Sequence, residues 1–229
     1  MSGPAWAAGI RAVLFDLDGT LADTAPDLSG ALNRLRLERG LEPVPLELTR
    51  PYTSSGARGL IGAGLGIAPD HPEFEALRTR FLELYEENIH VDTRLFPGME
   101  ELLASLEQRR LAWGIVTNKA SRFTLPLIES MGLSARAACI VSGDTTPHTK
   151  PHPAPLLHAA AEIELSPAAC LYLGDDLRDV QAARAAGMPV IAAAFGYLGG
   201  SDPCTWCADG IIHHPLEVLN FLETYPSMG

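Results

Sequence analysis

The sequence predicts an α/β fold, a doubly wound parallel sheet with an all-helical segment inserted near its start. Three observations carry that prediction. Short apolar runs, long enough for strands and too short for helices, alternate with amphipathic stretches of helical period after Pro97-Gly98. Such βαβ alternation builds a parallel sheet covered on both faces. Residues 23–92 instead carry helical periodicity alone, with no apolar run of comparable quality.

The first strand is Ala12-Val13-Leu14-Phe15, which ends abruptly in Asp16-Leu17-Asp18-Gly19-Thr20. Within the insertion, residues 27–39 place Leu28, Ala31, Leu32 and Leu35 on one helical face, and residues 74–87 do the same with Leu77, Phe81, Leu84 and Tyr85. The organisation is therefore a core of residues 1–22 and 93–229 with a helical cap at 23–92. In the second core segment, a helix over 99–110 precedes a strand over 112–116 that leads into Thr117-Asn118-Lys119. Ser121 is placed to cap a helix running to Met131, with Gly132 as its stop and Pro126 as a kink. A strand at 138–141, a loop through Lys150-Pro151, a helix over 154–163 and a strand at 170–173 follow. Gly174-Asp175-Asp176 then turns into a helix ending near Gly187, and 189–195 form a last strand.

Composition excludes several functions. The chain has 229 residues, of which 47% are hydrophobic, sufficient for one domain with an insertion and a sizeable core. A net charge of -11 without any Lys/Arg block argues against nucleic acid or an anionic membrane as partner. No apolar run reaches the length of a membrane span, and the start lacks the basic and apolar segments of a signal peptide. The expectation is a soluble cytoplasmic protein, monomer or homodimer, acting on a small molecule. Of four cysteines, Cys139 and Cys170 fall in apolar strands, whereas Cys204 and Cys207 form a lone C-x-x-C near His213 and His214. One such half-site is a weak zinc signal, and the expectation is none.

Parallel sheets bind ligands at the carboxyl ends of their strands. Asp16, Thr117 and Asp175 each end a different predicted strand, and Lys150 lies in a loop after a fourth, so they converge on one rim. Two carboxylates at the tip of a strand buried on both sides need a balancing charge. A hard cation such as Mg²⁺ with ligands Asp16, Asp18 and Asp175 supplies it. Asp16 is then placed as a carboxylate nucleophile for a phosphoryl group and Asp18 as acid and base. Thr117, Asn118 and Lys150 are phosphate ligands, with Lys150 also keeping Asp16 ionised. Asp176 and Asp179 bracket a helix start as a capping box, which accounts for Asp176 as well as a metal role does. Asp179 and Thr20 are expected to stand behind the ligands, and Asp144 to be solvated.

Taken together, Asp16-Leu17-Asp18-Gly19-Thr20, Thr117-Asn118, Lys150-Pro151 and Gly174-Asp175-Asp176-Leu177-Arg178-Asp179 resemble the four ordered motifs of the haloacid dehalogenase-like superfamily. The resemblance implies a Rossmann-like core, a helical cap inserted after the first motif, and an Mg²⁺-dependent phosphatase working through an aspartyl-phosphate. Pro97-Gly98 and Thr117-Asn118-Lys119 are similar to the phosphoglycolate phosphatases. Arg94 to Met99, Arg122-Phe123 and Gly174 to Asp179 look closer to the bacterial N-acetylmuramic acid 6-phosphate phosphatases. The segment Ser54-Ser55-Gly56-Ala57-Arg58 takes the place of the substrate-selecting cap loop and lacks the Gly-Asn-Gly form of typical phosphoglycolate enzymes. Ser55, Gly56, Arg58 and Arg122 are therefore the expected selectors, with Arg58 reaching a substrate carboxylate. The rival functions are a sugar phosphomutase of the same architecture and a non-catalytic phosphometabolite-binding protein. A dehalogenase needs neither Mg²⁺ nor a second acid at Asp18.

Overall fold

β1 (Ala12–Phe15) is buried along its whole length, and its side chains divide strictly between two cores. The computed structural model describes residues 6–222; residues 1–5 and 223–229, which the expected core includes, lie outside the described residues. After β1 come β2 (Ala22–Asp23), α1 (Ala25–Glu38), α2 (Leu46–Thr49), α3 (Gly56–Leu65), α4 (Phe74–Glu86) and β3 (Arg94–Leu95). The chain continues as α5 (Met99–Gln108), β4 (Ala112–Val116), α6 (Ser121–Ser130), β5 (Ile140–Val141) and α7 (Ala154–Glu162). It closes with β6 (Cys170–Gly174), α8 (Leu177–Ala186), β7 (Val190–Ala193), β8 (Gly210–Ile212) and α9 (Val218–Leu222).

Six strands pair in the order β5-β4-β1-β6-β7-β8, all parallel. The period-two alternation of a strand explains the two cores. Val13 and Phe15 pack with Leu102 of α5 and Leu127 of α6, while Ala12 and Leu14 pack with Leu156 of α7 and Val180 of α8. The sheet is thus doubly wound, as its near-continuous apolar strands require. Each fully buried leucine of this kind contributes about 1.5–3 kcal/mol relative to its exposed state. No helix among the described residues is long and apolar enough to cross a membrane.

The helical segment keeps a cluster of its own. Leu28, Leu32 and Leu35 of α1 meet Leu60 and Ile61 of α3 and Phe81 of α4, on the faces their spacing predicts. The chain enters and leaves this segment side by side, because β2 and β3 pair antiparallel through Asp23↔Arg94. Two carboxylates, Asp27 buried and Asp23 partly so, fix the crossing. The Asp27 carboxylate accepts the N–H groups of Val91, Asp92 and Thr93 at 3.0, 2.8 and 2.9 Å and the Thr93 hydroxyl at 2.7 Å. Asp23 takes a two-pronged contact from Arg50 at 2.8 and 2.9 Å and the Tyr197 hydroxyl at 2.8 Å.

Several elements differ from their sequence expectation. The first helix begins at Ala25 because Pro26 occupies its first turn, where a fixed φ and a missing N–H cost nothing. Ser121 does not cap α6; it is the first helical residue, and its N–H and hydroxyl donate to Asp144 at 2.9 and 2.8 Å. Asp144 is therefore the acceptor that opens α6. That helix runs through Pro126 without ending. The expected strands at 138–141 and 189–195 shrink to β5 and β7, and β2, β3 and β8 carried no sequence signal.

Candidate active site

The parallel ladder runs one residue past β1, with the Asp16 N–H donating to the Leu173 carbonyl at 2.9 Å. The chain then turns tightly: Leu21 and Ala22 N–H groups reach back to the Asp16 and Leu17 carbonyls at 3.1 and 2.9 Å. Gly19 makes the turn in the left-handed region at φ +89°, and a Cβ there would collide with the Asp175 carboxylate and the Tyr197 ring. Only glycine lets the turn lie against Asp175. Register does the rest. Phe15 stands beside Ile115 and Leu173, so Asp16, Thr117 and Asp175 leave the sheet at one end.

Asp175 is wholly buried and held by three donors: Thr20 Oγ1 at 3.0 Å, the Tyr197 N–H at 2.8 Å and Ser54 Oγ at 3.4 Å. Asp16 Oδ1 accepts its neighbour's Leu17 N–H at 2.8 Å and lies 2.9 Å from Lys150 Nζ. Lys150 is nearly closed to solvent, and its ammonium also meets Asp179 Oδ1 at 2.7 Å, the Val116 carbonyl at 3.0 Å and the Tyr172 hydroxyl at 2.8 Å. Burial by itself would lower the Lys150 pKa, but the Asp16 and Asp179 carboxylates outweigh it and hold the ammonium charged. Asn118, placed on the phosphate by the sequence, has its amide on the backbone of Lys150 instead, donating to the carbonyl and accepting the N–H at 2.9 Å each. It fixes the loop that delivers the lysine.

One cation does not balance this site. Ligand atoms of Asp16, Asp175 and Asp179 all lie within 4.8 Å of one another, around a single ammonium. Burial drives Asp16 up to about 7 against the pull of Lys150, with Asp179 and Asp18 adding to the rise. Asp175 is driven well above the carboxylate range by burial and then by Asp16 and Asp179. A buried cluster with only carboxylate oxygens suits a hard divalent cation, which removes the repulsion that burial magnifies. Asp179 shares its oxygens between Lys150 and the Asp176 N–H at 3.0 Å, as half of the capping box that opens α8. Asp18, counted among the ligands in the sequence, stands outside the trio. Its Oδ1 takes Lys119 Nζ at 2.7 Å and Thr24 Oγ1 at 2.5 Å.

Above these groups lies a cavity of about 400 Å³. Ser55, Gly56, Arg58 and Arg122, the expected selectors, all line it, as do Asp16, Asp18, Thr117 and Lys150. Residues the sequence did not assign to the site also line it, among them Tyr85, Phe81, Arg78 and Arg178. Arg178 grips Asp176 with two nitrogens at 2.8 Å each and donates to the Ser54 carbonyl at 2.7 Å, tying the sheet's rim to the helical segment. Its position inside the fourth motif was the available signal. Lys119 was equally visible in its motif, but its contact with Asp18 depends on two loops 101 residues apart. Cys204 and Cys207 are free and exposed, away from this site.

Residues 13–193 match the family model of haloacid dehalogenase-like hydrolases. The chain is 43% identical to an N-acetylmuramic acid 6-phosphate phosphatase of Pseudomonas putida, over 94% of this chain and 97% of that protein. It is 45% identical to a phosphoglycolate phosphatase of Xanthomonas campestris pv. campestris, over 91% of this chain and 94% of that one. Among solved structures, a predicted phosphoglycolate phosphatase from Haemophilus somnus superposes with a TM-score of 0.81 at 26% identity, covering 93% of this chain and 97% of that one.

Proposed function

This chain belongs to the haloacid dehalogenase-like hydrolases and is a phosphatase, and on that premise we propose that it cleaves a small, carboxylate-bearing phosphomonoester through an aspartyl-phosphate on Asp16. The leading substrates are the esters in its relatives' names, 2-phosphoglycolate and N-acetylmuramic acid 6-phosphate, which both carry a carboxylate besides the phosphate. The observation that carries the reading is the contrast between two aspartates facing one cavity. Asp16 sits on Lys150 within the acidic trio, whereas Asp18 sits apart from it on Lys119 and Thr24. Different surroundings give two carboxylates different tasks.

In the first step a carboxylate oxygen of Asp16 bonds to phosphorus, the ester P–O bond breaks, and Asp18 gives its proton to the departing oxygen. In the second, Asp18 takes a proton from water as the water oxygen displaces Asp16, releasing inorganic phosphate. Thr117 Oγ1 accepts the Lys119 N–H at 3.1 Å, so its own proton is free for a phosphoryl oxygen. Lys150 favours the ionised form of Asp16 and holds it in place. Mg²⁺ bound by Asp16 and Asp175, with Asp179 behind them, would neutralise charge on the phosphoryl group. Residues 23–92 act as the cap that roofs the cavity and selects the ester, and 1–22 with 93–229 as the catalytic core.

Asp16→Asn is expected to lower kcat by at least about 10⁴-fold while the melting temperature stays near that of the wild type. Retained hydrolysis in that variant would remove the reading. Comparing kcat/KM for 2-phosphoglycolate, N-acetylmuramic acid 6-phosphate and simple sugar phosphates then identifies the ester.

A further inference from the structure

Lys119 enters none of the steps above, yet its placement is tightly specified. Its N–H donates to Thr117 Oγ1 at 3.1 Å, and its carbonyl accepts from Gly143 N–H at 2.8 Å and Thr124 Oγ1 at 3.0 Å. The side chain is only 8% exposed and ends 2.7 Å from Asp18 Oδ1, its one ion-pair partner among the described residues. On the other side the ring of Tyr85, carried by α4, covers the ammonium at 4.9 Å from the ring centre. Tyr85 in turn packs on Phe123 at 5.5 Å. The Thr24 hydroxyl reaches the same Asp18 oxygen at 2.5 Å. Both donors fall on Oδ1, and Oδ2 has no hydrogen-bond donor among the described residues.

Two donors on one carboxylate oxygen, one of them a full cation, make that oxygen the poor seat for a proton. The other oxygen is left to carry it. We propose that Lys119 is a positioning residue for proton transfer: with Thr24 it clamps Oδ1 so that the proton Asp18 shuttles resides on Oδ2, and Tyr85 brings the helical segment into that contact. The proposal rests on reading Asp18 as the acid and base. The proton then moves from Asp18 Oδ2 to the ester oxygen as the P–O bond breaks and the bond to Asp16 forms. It returns to Oδ2 from the water whose oxygen displaces Asp16.

An alkyl phosphate needs its leaving oxygen protonated, whereas p-nitrophenyl phosphate releases a stable phenolate unaided, so kcat/KM on the two separates proton delivery from everything else. Lys119→Met is expected to lower kcat/KM about 100-fold on the alkyl ester and no more than about 3-fold on the aryl ester. Thr24→Val keeps the side-chain shape and removes the second donor. It is expected to show the same selectivity at about 10-fold, and it decides the matter if Lys119→Met does not fold. Asp18→Asn is the reference. If it hits both esters equally, the reading of Asp18 fails and the proposal with it. If it is selective while Lys119→Met or, failing that, Thr24→Val is not, the proposal alone is overturned, and Lys119 is a structural or substrate-binding contact.

Discussion

The floor and the roof of the cavity are built on opposite principles. On the floor the buried groups are committed: Asn118 to the backbone of Lys150, Lys150 to four acceptors, and Asp175 to three donors. On the roof, Thr53 Oγ1 is buried with no hydrogen-bond partner among the described residues, and Arg58 joins no ion pair among them. Buried polar groups are normally paired, so an unpaired one in a cavity wall leaves hydrogen-bonding capacity facing the cavity. The floor is preorganised. The roof is less fully committed, and its arginine Arg58 faces the cavity without an ion-pair partner among the described residues.

The sharpest way to break this contrast is to damage the floor. Lys150→Met is expected to cost about 10³-fold in kcat and, because it strands buried carboxylates, about 3–5 kcal/mol of stability. A denaturant midpoint and a single-turnover assay check the two effects. Damage to the roof should read differently. Arg58→Ala is expected to raise KM about 30-fold for a carboxyl-bearing ester and to leave a carboxyl-free ester within about 2-fold, with kcat little changed on either. Equal losses on both esters would erase the distinction between the two surfaces.

The smallest effect belongs to the crossing between them. Burial would raise the Asp27 pKa, but the Thr93 hydroxyl and the backbone N–H groups of residues 91–93 outweigh it and hold the carboxyl below its ordinary range. A group depressed in the folded state stabilises above its unfolded pKa and loses that stability as pH falls through the folded value. Asp27→Asn is therefore expected to destabilise by about 1.5 kcal/mol at pH 7, with the gap to wild type closing below about pH 4. Melting temperatures of both proteins from pH 7 to pH 3 check the sign; a gap that widens in acid would refute it.

The same contrast separates what could be read from the sequence from what could not. β1 and β6 were legible because strands buried on both faces must be continuously apolar, and the polar residues ending them announce the rim. β2 and β3 were not, since two residues carry no periodicity, and β8 is a three-residue edge strand. Asp175 and Lys150 stood out as charged residues next to apolar strands or in a short motif. Lys119 did not acquire a partner until the chain was folded, and Arg178 did not acquire its contact to the helical segment, because Asp18 and Ser54 are 101 and 124 residues away. Tyr85 was read as one more apolar position on α4, and its ring is indeed buried, but its neighbour there is an ammonium.

The pairing of Asp23 with Arg94, in a two-stranded ribbon separate from the main sheet, means that the excursion between them starts and finishes at one spot. A few linking residues would close that gap, so the whole stretch is removable or replaceable without rethreading a single strand. Evolution, or a protein engineer, can exchange the helical segment like a tool head while the handle beneath stays the same.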